Sequence, residues 1–122
     1  MIELSPHVSY SWRFVFTDKS TGNPIDISGR VLSFTAKRST MDVDAKAIIS
    51  ISNEFPSNSE SQAGLGYLFL DPEKTANLIQ GETVFIQFML TWEDSLGRLN
   101  NKVFGFQRVT VGKNIKETIP AI

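Results

Sequence analysis

His7 is the only imidazole in this chain, and imidazole is the side chain best suited to moving protons near neutral pH. It precedes a strand-like segment with no cysteine or carboxylate cluster around it, so it reads as ordinary surface. Asp42 and Asp44 in "MDVDAK" would put two carboxylates on one side of an extended chain. A calcium loop needs more oxygen ligands and a glycine at its sharp turn, and neither stands at the required spacing. Glu93 and Asp94 follow Trp92 in "EDSLGR". Paired carboxylates cleave a glycosidic bond only across a cleft, whereas neighbours in a hairpin point apart. Serine and threonine are plentiful, but no G-x-S-x-G elbow occurs. "GLG" at 64–66 lacks the third glycine and the helix of a dinucleotide loop, and no G-x-x-x-x-G-K is present. Without cysteine there are no disulfides, thiol nucleophiles or thiolate metal sites. No catalytic, cofactor-binding or metal-binding residue is expected, and the chain is not expected to be an enzyme.

The bulk numbers narrow the field further. A chain of 122 residues is expected to form one domain, residues 1–122, with enough volume for a core. The charge is −1, from 12 basic and 13 acidic residues scattered along the sequence. No basic stripe offers nucleic acid or anionic lipid a footprint, so neither is expected as a partner. The N-terminal "MIELSPHVSYSW" has no basic-then-apolar leader pattern, and no apolar run approaches the ~20 residues that span a bilayer.

The elements that would position any site are strands. In "VSYSWRFVFT" Val8, Tyr10, Trp12, Phe14 and Phe16 are apolar and alternate with polar Ser9, Ser11 and Arg13. "DKSTGNP" is a turn, Pro24 suits a strand beginning, and Gly29 suits a bend before "VLSFTAKR". Residues 39–46 read as a loop, "AIISIS" as a strand, 53–66 as an exposed loop and "YLFLD" as a strand. "PEKTANLIQG" is the one helix expected, short and around residues 72–80, with Asp71 as cap and Gly81 as stop. "TVFIQFMLTW" is the strongest strand, and "NKVFGFQRVTV" returns after a turn. Its alternation changes phase between Phe104/Phe106 and Val109/Val111, which points to a bulge at or near Gly105. Six or seven short strands with one short helix make an all-β protein, an antiparallel β-sandwich of immunoglobulin-like outline. A small closed barrel is the alternative.

Thirteen Phe, Tyr and Trp residues fall mostly on the core-facing phase of these strands. Phe85 and Met89 do not, since they lie opposite Val84, Ile86, Phe88, Leu90 and Trp92. Tyr67 or Phe69 likewise faces away from Leu68 and Leu70. A sheet whose second face is partly apolar usually has something covering it. Tyr67, Phe85 and Met89 are therefore the candidate interface residues.

The stretch "FVFTDKSTGNPIDISGRVLSFTAKR" resembles the start of a β-sandwich domain of bacteriophage tail and baseplate proteins. It is similar to the N-terminal, virion-anchoring domain of baseplate upper proteins and of tail-fibre or receptor-binding components. "AIISIS", "AGLGYLFLDPEKTANLIQGETVFIQFMLTWEDSLGR" and "RVTVGKNI" follow the same outline in order, over residues 10 to about 115. The resemblance implies a virion structural protein, made in the host cytoplasm, that docks on other virion proteins as one copy of a symmetric homo-oligomer. Loops 39–46 and 53–66 and the chain ends would add contacts. In the family such a domain is followed by a stalk and a host-binding head; this sequence closes on "NIKETIPAI", so host recognition is not carried over. Two other readings stand beside it. A carbohydrate-binding module contacting host glycans would need exposed coplanar aromatics, with Trp92 outside the core. A capsid decoration protein would use the same assembly chemistry elsewhere in the particle.

Overall fold

A computed structural model describes residues 3–39 and 47–112. Six strands follow in order: β1 (Tyr10–Val15), β2 (Val31–Lys37), β3 (Ile49–Glu54), β4 (Leu65–Leu70), β5 (Thr83–Glu93) and β6 (Leu99–Thr110). All pairings are antiparallel. One sheet holds β1 and β4, and the other holds β3-β2-β5-β6. The two sheets face each other as the β-sandwich expected from the alternation. They remain separate, and among the described residues β1 and β6 each have one strand neighbour, so the closed-barrel alternative is not what forms.

Period-2 patterning decides which face is buried. Leu32, Phe34 and Ala36 of β2 and Val84, Ile86, Phe88 and Leu90 of β5 line the inner face of the large sheet. Leu68 and Leu70 of β4, with Trp12 and Phe14 of β1, meet them from the other layer. Phe88 sits at the centre. Its ring lies 5.0 Å from Phe34, 5.5 Å from Trp12, 5.1 Å from Phe14 and 5.6 Å from Phe104, centroid to centroid. Aromatic packing of this kind adds about 0.5–1.5 kcal/mol per pair beyond the area buried.

The phase change in β6 is a bulge. Phe88 pairs with Phe104 but Ile86 pairs with Gln107, so Gly105 and Phe106 together oppose Gln87. Gly105 carries the positive φ of +64° that such a bulge needs. Phe104 and Val109 both point inward as a result, while Phe106 turns to the outer face.

Three expectations are corrected. The helix around 72–80 is a single turn, α2 (Pro72–Thr75). After it the chain makes tight turns, with Leu78 N–H on Thr75 C=O and Glu82 N–H on Ile79 C=O. Leu78 is buried in the core at the first of these turns. The exposed loop at 53–66 is partly structured. Asn53 and Glu54 end β3, Leu65 and Gly66 begin β4, and a helical turn, α1 (Ser59–Gln62), lies between them. Asn58 caps that turn by accepting the Ser61 N–H at 2.9 Å. The first strand begins at Tyr10 rather than Val8, because Val8 N–H and C=O are engaged by the Thr75 hydroxyl at 3.1 and 3.0 Å.

Much of the segment from Phe16 to Lys37 sets the course of the chain. Asp18 accepts from Ser20 N–H at 2.7 Å, closing the turn, and Thr17 bridges to Pro24. Ile27 is fully buried, and Gly29 (φ +77°) bends the chain into β2. Of the loop at 39–46 and the chain ends, expected to supply contacts, residues 40–46, 1–2 and 113–122 lie outside the described residues.

Candidate functional site

The residues with chemical potential do not converge. His7 lies in an exposed turn with φ 61°. Asp42 and Asp44 fall outside the described residues. Glu93 ends β5, exposed, while Asp94 is the staple of the following hairpin. Its carboxylate accepts the N–H groups of Leu96 and Arg98 at 2.9 Å and the side chains of Arg98 and Asn100 at 3.1 Å. The Arg98 backbone N–H and then the Asn100 amide are the main causes holding the Asp94 carboxyl below the usual carboxylate range. A carboxylate committed to its own turn has no lone pair left for acid–base work. "GLG" is structural too. The Phe55 ring packs so closely on Gly66 that a Cβ there would stand 2.6 Å from it. Among the described residues, no three His, Asp or Glu side chains come together to hold a metal ion, and no helix is long and apolar enough to cross a membrane.

The candidate interface residues occupy two opposite faces. Phe85 and Met89 lie on the outer face of the large sheet, where β5 is flanked on both sides. Phe85 stacks on Phe106 at 6.4 Å with planes 20° apart, and Met89 stands opposite Val103. Phe106 and Val103 are 58% and 49% exposed, so an apolar strip crosses the outside of β5 and β6. Lys37 and Arg108, paired to either side of Phe85, place cations at one end of the strip. Phe106 was missed in the sequence because simple alternation puts it in phase with Phe104. The bulge alone reverses it.

Tyr67 lies on the outer face of the small sheet, apart from the other two. Both Tyr67 and Phe69 face outward, at 44% and 57% exposure, with Val15 beside them on β1. The Tyr67 hydroxyl donates to Glu60 at 3.0 Å, which pins the ring against α1.

A third feature has no counterpart in the sequence reading. Between the end of β1 and the facing residues of β5 and β6 a cleft of about 390 Å³ opens. Phe14, Phe16, Trp92 and Phe104 form its walls, and Arg30 and Lys102 stand at its rim. The Arg30 guanidinium lies 4.7 Å from the centre of the Trp92 ring, a cation–π contact that covers one face of the indole. No protein-family model matches the chain, and no curated protein sequence matches it.

Proposed function

We propose that this chain is a bacteriophage virion structural protein, a tail, baseplate or head–tail adaptor that works by protein–protein assembly. The virion setting rests on the resemblance of residues 10 to about 115 to the anchoring domain of tail and baseplate proteins. The observation that carries the assembly reading is the apolar strip of Phe85, Phe106, Met89 and Val103 on the outside of a sheet whose other face already forms the core. An outward patch of this kind marks an interaction surface. Affinity would come from a few aromatic anchors rather than from area. The partners are other virion proteins and further copies of the chain. A capsid decoration role would use the same strip at another place in the particle. The glycan-binding reading is less well supported, because Arg30 already covers a face of Trp92 that a sugar ring would need.

The test is the solution mass of the purified protein by light scattering, alone and with Phe85→Ser and Met89→Ser together. A defined oligomer that the double variant dissociates supports the reading. A protein that stays monomeric and captures a sugar on a glycan array overturns it.

A further inference from the structure

The two layers of the sandwich are unequal, and the mismatch leaves one strip of the inner face uncovered. β4 lies at the β3 side, where the Asn53 side chain donates to the Tyr67 C=O at 2.9 Å and closes that flank. β1 lies over the middle of the large sheet, with Trp12 against Phe34 and Phe88, and Phe14 against Phe88 and Phe104. Among the described residues, no strand of the small sheet lies beyond β1 on the β6 side, where Phe14 and Phe16 reach Phe104. Along the inner face of β6 Lys102 is exposed, Phe104 and Gln107 are half-buried, and Val109 is buried. The aromatic cleft is the end of this gap nearest Phe16.

The backbone of β1 is disposed to fill it. Phe16 N–H donates to Gly64 C=O at 2.8 Å, in register with the pairs Phe14↔Gly66 and Trp12↔Leu68. Alternate residues of an antiparallel strand hydrogen-bond to the same side. Ser11, Arg13 and Val15 therefore direct their N–H and C=O groups away from β4, along the open edge above β6. Among the described residues that edge of β1 has no strand beside it, and a two-stranded sheet with an open edge beside an apolar cleft is a template for strand addition. Among the described residues the lining of the cleft holds two cations, Arg30 and Lys102, and no carboxylate, and Asp26 outside it interacts electrostatically with Arg30.

We propose that an extended acidic segment of another virion protein adds to the free edge of β1 as a third strand. The segment carries bulky apolar side chains at alternate positions. One of them enters the cleft between Phe16, Trp92 and Phe104, and a flanking carboxylate meets Lys102 and Arg30. This deepens the assembly reading and rests on it, naming the chemistry of a second contact away from the Phe85–Met89 strip.

The experiment screens the whole chain against a bead-displayed heptapeptide library randomised at all positions, then measures retained peptides by fluorescence anisotropy and amide NMR. The expected outcome is enrichment of alternating apolar and acidic sequences that shift the amides of Ser11, Arg13 and Val15 and leave Phe85 and Met89 in place. Val15→Pro removes one outward N–H without breaking a bond to β4, and is expected to weaken binding about tenfold. Lys102→Glu, an exposed change, is expected to do the same and guards against a misfolded proline variant. The proposal is overturned if no peptide is retained, if retained sequences are basic or lack alternation, or if both variants bind as the parent does. It is also overturned if Val15→Pro lowers the solution mass, since the added strand then comes from a second copy of this chain. A protein that oligomerises through Phe85 and Met89 but retains no peptide fails here while the assembly reading stands.

Discussion

Gly105 passes directly over the ring of Phe88, so close that a Cβ at that position would stand 2.8 Å from the ring's Cδ2. The contact joins the bulge of β6 to the centre of the aromatic core. Gly105→Ala meets both a positive-φ penalty and this overlap, and Phe88 is too tightly surrounded to yield. A loss of roughly 1–3 kcal/mol is expected, read as a lower urea midpoint with unchanged slope. Gly22→Ala has open space around it and meets the φ penalty alone, so it should cost less.

Thr75 is fully buried, and its hydroxyl accepts Val8 N–H while lying 3.0 Å from the carbonyls of Val8 and Pro72. Thr75→Val keeps the shape and strands these partners. A cost of roughly 1–3 kcal/mol is expected, with faster amide exchange at Val8.

Asp94 sets an acid limit on the β5–β6 hairpin. Its folded carboxyl titrates below the ordinary value, chiefly through the Arg98 N–H and the Asn100 amide. A lowered folded pKa gives stability that is fully present above the ordinary carboxylate pKa of about 3.9 and is lost as pH falls through the folded value. The hairpin amides of Leu96 and Arg98 should therefore lose protection below about pH 4. Asp94→Asn should abolish that pH dependence; persistence of the transition in the variant would assign it to another group.

Phe106 stands outside the core. Phe106→Ser removes a ring that is 58% exposed, so stability should change by less than about 0.5 kcal/mol. The solution mass should nevertheless fall if the strip is an interface. Equal masses for parent and variant would take Phe106 out of it.

The strands were legible because alternation is a local signal. Val84, Ile86, Phe88, Leu90 and Trp92 read inward and Phe85 and Met89 outward from the sequence alone, and the alternating burial along β5 agrees. The bulge was legible as a phase change, but its effect on Phe106 was not, because which side of the glycine regains phase is settled by pairing with β5. α1 was hidden in a Ser- and Asn-rich run, where Asn58 reads equally well as a loop residue or a cap. α2 was overextended because a helical composition does not show that the chain goes on in tight turns, Thr75 to Leu78 and Ile79 to Glu82. The cleft left no trace in the sequence. It arises from four strands facing two, and strand partners up to sixty positions apart decide that.

That separation also governs how the chain can fold as it is made. Tyr10 pairs with Leu70 and Val15 with Leu65, so the aromatic strand emerges first and finds its partner last. At the usual pace of synthesis it stays unpaired for roughly 3–10 s, with Tyr10, Trp12, Phe14 and Phe16 open to whatever lies nearby. β5 and β6, joined by a short turn, close locally and quickly. Production of this protein should therefore be limited by the vulnerability of its first sixteen residues on the ribosome, and shielding them, rather than strengthening the finished core, is what would raise its yield.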